Sequence, residues 1–156
     1  MANPQRWNRH KPLPPDIKMR LENLASHFEK EGVMLAYLFG SLSEEGKTSP
    51  RPSGDVDLAI LTKERPASEL YEKLADALGT DRLDLVDLRH ASPIMRYEVL
   101  RSGKPIYVSD KSAKERYEMD TIHIYRDTEP MRRRQREILK ERMTAWCSEE
   151  SLLRRA

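Results

Sequence analysis

Three short apolar runs stand out along an otherwise polar chain, and each has the length of a buried β-strand. They are VMLAYLF at 33–39, DVDLAIL at 55–61 and RLDLVDL at 82–88, and KPIYV at 104–108 adds a brief extended segment. Segments with helical spacing separate these runs, so the pattern predicts an α/β (α+β) sandwich with a small sheet flanked by helices. The pattern does not decide whether that sheet is mixed or all parallel.

Apolar residues recur at helical spacing before and between the predicted strands. A first helix is predicted from Asp16, a potential N-cap, to Gly32. Two further helices are predicted within residues 68–79 and 92–103, because each segment begins with serine and ends with glycine. The buried face of the first helix is expected to carry Ile17, Leu21, Leu24 and Phe28.

The last third of the sequence predicts a long helical region. Ser112 and Glu115 have the spacing of a capping box and mark its expected start, while Pro130 should kink or split it. Four prolines punctuate the N-terminus, which is expected to be extended. The predicted organisation has three parts: an extended arm at 1–15, the α/β domain at 16–110 and a C-terminal helical extension at 111–156.

Composition restricts the class of protein. The 156 residues suffice for one domain, and no apolar run approaches the roughly 20 residues of a membrane span. There is no secretory h-region, and the single Cys147 fits a reducing compartment, so the expected location is cytoplasmic. The charge is +3 over residues 1–15, +4 over 131–156 and −5 between them. An acidic body with basic ends is a poor match to a general nucleic-acid binder, so nucleic acid is not the expected substrate.

Two carboxylates open the second predicted strand, and a third lies within the next one. Asp55 and Asp57 are two residues apart and therefore project from the same side of a strand. Side by side they repel each other, and an oxygen-preferring cation such as Mg²⁺ would relieve that repulsion. Asp84 is expected to share its face with Val86, and a charged group in mid-strand needs a partner such as that cation. Asp87 should face the other way and is the weaker candidate ligand.

The first predicted strand ends in Gly40-Ser41, a turn of the kind that binds phosphate. Glycine permits close backbone approach to a ligand, and the amides of such a turn and the Ser41 hydroxyl can donate hydrogen bonds to an anion. A polar loop at 42–54 follows, in which Lys47 and Arg51 either touch phosphates or are simply solvated. Phosphate on the turn and metal on the carboxylates would together make a phosphoryl-transfer site.

These three motifs, YLFGS, GDVDLAIL and RLDLVDL, together resemble the signature of the DNA polymerase β-like nucleotidyltransferase superfamily. Within it, the chain looks most like the minimal nucleotidyltransferases (MNT proteins) that are paired with HEPN toxins in toxin–antitoxin systems. The segment ASPIMRYEVLRSGKPIYV at 91–108 also resembles those antitoxins, and the likeness covers about 33–125. It implies a polymerase β-like fold with a small mixed sheet. It also implies Mg²⁺ on Asp55, Asp57 and Asp84, with Asp84 as the base, and a nucleotide on Gly40 and Ser41.

The resemblance further implies an activity and a partner. An MNT antitoxin transfers AMP from ATP to a hydroxyl, expected to be a tyrosine, of its cognate HEPN ribonuclease toxin, and no membrane is involved. Two alternatives remain open: nucleotidylation of a small molecule such as an aminoglycoside, and an antitoxin that inhibits only by binding. The chain departs from the family pattern in the thirteen residues between Ser41 and Asp55 and in Gly54, where serine is common.

The remaining candidate residues have plainer explanations. His90 and His123 lack partners at catalytic spacing and are expected at the surface or in packing. MRRRQR at 131–136 is typical of a solvated helix face, although it also suits a partner or nucleic acid. The neighbouring apolar stripe packs either on the body or on a partner, with the partner favoured; it consists of Ile138, Leu139, Met143 and Trp146.

Overall fold

The computed structural model describes residues 12–43, 54–64 and 69–153. Four strands and six α-helices lie within these ranges, together with a short 3₁₀ turn at Gly40–Leu42. In chain order the elements are α1 (Ile17–Glu22), α2 (Ala25–Lys30), β1 (Val33–Phe39), β2 (Val56–Thr62), α3 (Leu70–Leu78), β3 (Leu83–Asp87), α4 (Pro93–Ser102), β4 (Lys104–Val108), α5 (Lys111–Asp127) and α6 (Glu129–Leu153). The three apolar runs and the KPIYV segment are therefore all strands, as predicted.

The four strands form one mixed sheet in the order β3-β2-β1-β4. β1 pairs antiparallel with both β2 and β4, whereas β2 and β3 are parallel. The parallel pair is connected through α3, because parallel neighbours need a crossover. The mixed sheet implied by the family resemblance is confirmed.

One face of the sheet is closed by α1, α2 and α3 over an apolar core. Val56, Leu58 and Ile60 point to this face from β2, and each is fully buried. The helical segments contribute the predicted buried face of the first helix and the apolar residues of α3, namely Ile17, Leu21, Leu24, Phe28, Leu70, Leu74 and Leu78. The alternation along β2 therefore places its even-numbered residues in this core, as expected for a half-buried strand.

The opposite face is covered by α4 and α5 over a smaller core. Leu35, Tyr37 and Ala59 lie beneath these helices, and Leu88 and Val99 complete the fully buried set. α5 is attached through a hydrogen bond that the Tyr37 hydroxyl donates to a Glu118 carboxylate oxygen at 3.0 Å. Part of the C-terminal helical region thus packs on the sheet, while the proposed domain boundary at residue 111 stays a prediction.

The single first helix predicted from Asp16 to Gly32 is wrong in one respect. The structure has two short helices, α1 and α2, with a tightened turn in which the Leu24 amide donates to the Leu21 carbonyl. This turn keeps Leu24 fully buried. The Asp16 carboxylate does not cap the helix; it accepts from Arg20 Nε at 2.9 Å instead. The Arg20 ion pair therefore replaces the expected cap.

The capping box at Ser112 and Glu115 is also wrong. The N-cap of α5 is Asp110, whose carboxylate accepts from the Ser112 amide at 2.9 Å, so Ser112 lies inside the helix. The preference of aspartate for this position explains the shift of two residues. The predicted cap of α4 is confirmed, since the Ser92 hydroxyl accepts from the Met95 amide at 3.2 Å.

The split expected near Pro130 is present. α5 ends at Asp127 and α6 begins at Glu129, which places Pro130 in a first turn where its missing amide costs no helical hydrogen bond. Parts of the predicted arm (1–11), of the loop (44–53) and the start of the α3 region (65–68) lie outside the described residues. Among the helices that the structure describes, none is long and apolar enough to cross a membrane.

Candidate active site

Asp57 and Asp84 are brought side by side by the parallel pairing of β2 with β3. They are direct register partners, one step inside the ends where both strands begin. Asp55 precedes β2 by one residue, so it lies at the same edge of the sheet. The prediction that Asp84 faces the same side as the first two carboxylates agrees with the core, because its neighbours Leu83 and Leu85 pack on the opposite, apolar face.

At this edge the negative charges of Asp55 and Asp84 act on Asp57. The pKa of Asp57 is raised above its ordinary value, first by burial and then by the negative charges of Asp84 and Asp55. Asp57 is half-buried, whereas Asp84 is exposed. Ionisation of Asp57 is therefore less favourable than that of a free aspartate, and a positive charge at this edge would counteract this effect.

The donor set of this edge fits a hard cation. Carboxylate oxygens are the ligands that Mg²⁺ prefers, and it usually takes one or two of them together with substrate phosphates and water. Over the part of the chain that the structure describes, no three His, Cys, Asp or Glu side chains converge closely enough to chelate one ion. Coordination of one ion by all three carboxylates would therefore require side chains to change rotamer, and Asp84 is exposed.

Gly40 packs directly against Asp57. A Cβ at position 40 would stand 2.1 Å from Asp57 Oδ2, and the backbone has a φ of +69° there. Any other residue would therefore be both strained and in collision with the carboxylate. Gly40 opens the 3₁₀ turn Gly40–Leu42, on which Ser41 is exposed to solvent. The structure thus brings the predicted turn and the predicted carboxylates together at one edge of the sheet.

Ser43 anchors this turn and was missed by the sequence analysis. Its hydroxyl is within hydrogen-bonding distance of two carbonyl oxygens, 2.8 Å from that of Gly40 and 3.1 Å from that of Ser102 at the end of α4. α4 is pressed close to β1 here, because a Cβ at Gly103 would stand 3.4 Å from the Leu38 carbonyl oxygen. No local pattern marks Ser43, since its partner in α4 is 59 residues away along the chain.

Arg82 is a second residue that the sequence analysis missed. It is 9% exposed, its Nη1 lies 3.5 Å from the carbonyl oxygen of Gly54, and its own carbonyl accepts from the Val56 amide at 2.8 Å. These two contacts join the segment that carries Asp55 to the start of β3. An arginine before a strand has no distinctive spacing, and the role of Arg82 depends on the pairing of β2 with β3.

The weaker candidate residues from the sequence, Asp87, His90 and His123, lie away from this edge of the sheet. Asp87 ends β3, and its carboxylate accepts from the Arg89 amide at 2.9 Å, which caps the turn that follows the strand. His90 is exposed, with Nε2 3.9 Å from an Asp87 carboxylate oxygen, and His123 is exposed on α5. None of the three belongs to the group formed by Asp55, Asp57 and Asp84.

The family comparison agrees with this geometry. The profile of the family described as polymerase beta, nucleotidyltransferase matches residues 22–112, which is more than half of the chain and includes the turn and all three carboxylates. The chain belongs to this family.

A curated relative is similar to part of the chain. Residues of this chain are 38% identical over 97 positions to protein adenylyltransferase MntA of Shewanella oneidensis. The match covers 60% of this chain and 66% of the relative, so the chain spans just under two thirds of that relative's length.

Solved structures of toxin–antitoxin complexes are similar to most of the chain. A chain of the complex of tri-AMPylated Shewanella oneidensis HEPN toxin with MNT antitoxin has a TM-score of 0.61 at 27% identity, covering 81% of this chain and 98% of that one. A chain of a toxin–antitoxin structure with AMP-PNP has a TM-score of 0.60 at 29% identity, covering 84% of this chain and 99% of that one. These likenesses extend beyond the region matched by the family profile.

Proposed function

We propose that this nucleotidyltransferase is an antitoxin that transfers AMP from ATP to a hydroxyl, in particular that of a tyrosine, of a cognate HEPN toxin. Three similarities support the proposal: to an enzyme named protein adenylyltransferase, to a complex with an AMPylated HEPN toxin, and to a toxin–antitoxin structure with an ATP analogue. The cytoplasm is the compartment proposed for both proteins.

The proposed site consists of the residues at the start of β2 and β3. Asp55, Asp57 and Asp84 would hold Mg²⁺, and the turn formed by Gly40 and Ser41 would bind the phosphates of ATP. The observation that carries this assignment is geometric: Asp57 is the register partner of Asp84, and Gly40 packs against Asp57. When bound, Mg²⁺ would neutralise the charge that develops on the phosphoryl oxygens.

The residues of the chain then have distinct tasks. The turn amides and the Ser41 hydroxyl orient the triphosphate, which favours attack on the α-phosphorus. The acceptor oxygen forms a bond to that phosphorus, and the bond to pyrophosphate breaks. Asp84 is exposed and so accessible to an acceptor, and it takes up the proton that the hydroxyl loses.

Two other functions compete with this proposal. A small-molecule nucleotidyltransferase of the aminoglycoside type is less well supported, because the similar solved structures described above are toxin–antitoxin complexes. An antitoxin that acts only by binding would not need three carboxylates arranged around a glycine turn. The neighbouring gene separates these possibilities, because a HEPN-type reading frame supports either antitoxin function and disfavours the small-molecule function.

The direct test is co-expression of the chain with the product of the neighbouring gene, followed by mass spectrometry of both proteins. An added AMP on a tyrosine of the partner supports the proposal, and the same experiment with Asp84→Asn should show little addition. A partner that binds tightly but stays unmodified with Mg²⁺ and ATP present would favour inhibition by binding alone.

A further inference from the structure

An aromatic and cationic stack joins α4, α5 and α6. The rings of Tyr97 on α4 and Tyr125 on α5 are stacked with centroids 3.8 Å apart and planes 8° apart. The guanidinium of Arg132 on α6 covers the other side of the Tyr125 ring, 3.8 Å from its centroid. A cation over a stacked aromatic ring is a favourable arrangement when it is shielded from water.

Arg132 differs from the rest of the basic run in its surroundings. It is 6% exposed, whereas every described side chain from residue 133 to 148 is exposed. The expectation that the run is a solvated face is therefore wrong for Arg132. It pairs with Glu129 at 2.6 Å, and Glu129 also pairs with Arg136 at 2.8 Å, so the start of α6 is tied to the stack by ion pairs as well.

α4 connects this stack to the candidate active site. Its last residue, Ser102, presents the carbonyl that the Ser43 hydroxyl contacts, and the same hydroxyl contacts Gly40, which packs against Asp57. An uninterrupted series of contacts thus runs from Arg132 through Tyr125 and Tyr97 along α4 to the glycine turn.

Beyond its first turns α6 offers a surface suited to a protein. Its exposed apolar side chains are Ile138, Leu139, Met143 and Trp146, and exposed basic residues flank them. Such a face fits a partner with an apolar strip bordered by acidic groups. α6 is attached to the body at one end. If that end is rigid, a partner bound along α6 reaches the active site in a single orientation.

We propose that Tyr125, stacked between Tyr97 and Arg132, is a positioning residue that fixes α6 relative to the Gly40–Ser43 turn, so that a protein bound along α6 presents its hydroxyl to Asp84. This rests on the proposed function, because the presented hydroxyl is that of the protein acceptor. Holding two reactants in a fixed geometry is worth several orders of magnitude in rate, and small misplacements lose much of it.

The test compares Tyr125→Ala, which removes the ring from both contacts, with Tyr125→Phe, which keeps it. Ile124→Ala is the matched control, since Ile124 is the exposed neighbour on the same helix. The chain's single cysteine, Cys147, is exposed on α6, and Asp76→Cys adds a second label on α3. Spin-label distances between the two positions then report the direction of α6 without any need for catalysis.

Tyr125→Ala should broaden the distance distribution and lower kcat/KM for modification of the partner by roughly 10- to 100-fold, with ATP binding unchanged. Tyr125→Phe and Ile124→Ala should match the wild type in both measurements, and circular dichroism should show that all variants are folded. A narrow distribution in Tyr125→Ala overturns the inference, and so does a broad one with undiminished modification. If the wild type modifies no partner, the proposed function fails, while the distances still test the stack.

Discussion

The two faces of the sheet differ in the polarity of the side chains that they hold, although the same strands form both. On β2, Val56, Leu58 and Ile60 enter a wholly apolar core beneath α1 to α3, and each is fully buried. The residues between them face α4 and α5, and this side begins with Asp57, whose carboxylate is half-buried beside other carboxylates. A shift of one residue in register would exchange these two sets.

The difference shows how a small domain can hold charge at the end of a sheet without losing its core. The apolar face closes over the whole length of β2, so stability does not depend on the other face alone. α4 and α5 cover the middle of the second face, where Leu35, Tyr37 and Ala59 are buried. The edge of the sheet that carries Asp84 stays exposed. The first face therefore supplies packing, and the second supplies the candidate chemistry.

The largest expected effect separates chemistry from packing. Asp55→Asn combined with Asp57→Asn should abolish transfer of labelled nucleotide while leaving the fold intact, because both side chains keep their volume and lie outside the apolar core. Burial and like charges raise the pKa of Asp57, so the metal-free double variant should be at least as resistant to thermal unfolding as the wild type. Unchanged transfer would refute the site assignment. A melting temperature far below that of the wild type would refute the division into a face that supplies packing and a face that supplies chemistry.

The next effect tests which carboxylate of β3 belongs to the chemical face. Asp84→Asn should lower the rate of transfer by roughly 10²–10⁴-fold, while ATP binding largely survives, because a proton acceptor is lost and the phosphate turn is not. Asp87→Asn is the matched control on the same strand, and its carboxylate is engaged with the Arg89 amide. A silent Asp84→Asn beside a crippling Asp87→Asn would show that the two residues have exchanged roles.

Much of this division was predictable from the sequence, because strand alternation is a local property. The strand limits at 33–39 and 104–108 and the facing of Asp57 and Asp84 follow from apolar run length and a period of two. The glycine turn also follows, since glycine is favoured where φ is positive. These features need no knowledge of which strands are neighbours.

What could not be predicted depends on contacts between distant residues. Ser43 reaches α4 and Arg82 reaches Gly54, and neither contact leaves a mark at local spacing. The break between α1 and α2 likewise follows from the burial of Leu24. In each case tertiary packing decided between local alternatives that the sequence left nearly equal.

A smaller effect tests the apolar face. Leu58→Ala should lower the free energy of unfolding by about 2–5 kcal/mol, because it leaves a cavity in a fully packed core. Leu61→Ala on the same strand is the matched change on the other face; Leu61 is partly exposed, so its cost should be lower. Chemical denaturation measures both, and transfer per folded molecule should stay close to that of the wild type. Equal costs would show that the two faces contribute packing alike.

The smallest effect concerns Tyr37, the polar group buried within the second face. It is 2% exposed, and burial, followed by its hydrogen bond to Glu118, raises its pKa far above the ordinary value. The folded protein therefore keeps this tyrosine protonated at a pH where the unfolded chain releases the proton. Its contribution to stability is fully present below about pH 10 and falls above it by at most about 1.4 kcal/mol per pH unit.

Tyr37→Phe should therefore flatten the loss of stability above pH 10, at a cost of about 1–3 kcal/mol at neutral pH, because Glu118 loses a donor. Glu118→Gln keeps an acceptor for the hydroxyl but removes the charge. Since burial is the largest cause of the shift in the pKa of Tyr37, Glu118→Gln should flatten the alkaline loss less than Tyr37→Phe does. Denaturant midpoints measured from pH 8 upward in all three proteins decide this. If the stability of Tyr37→Phe falls as steeply above pH 10 as that of the wild type, other groups cause the alkaline loss of stability. Water would then reach this face more readily than the burial of Tyr37 implies.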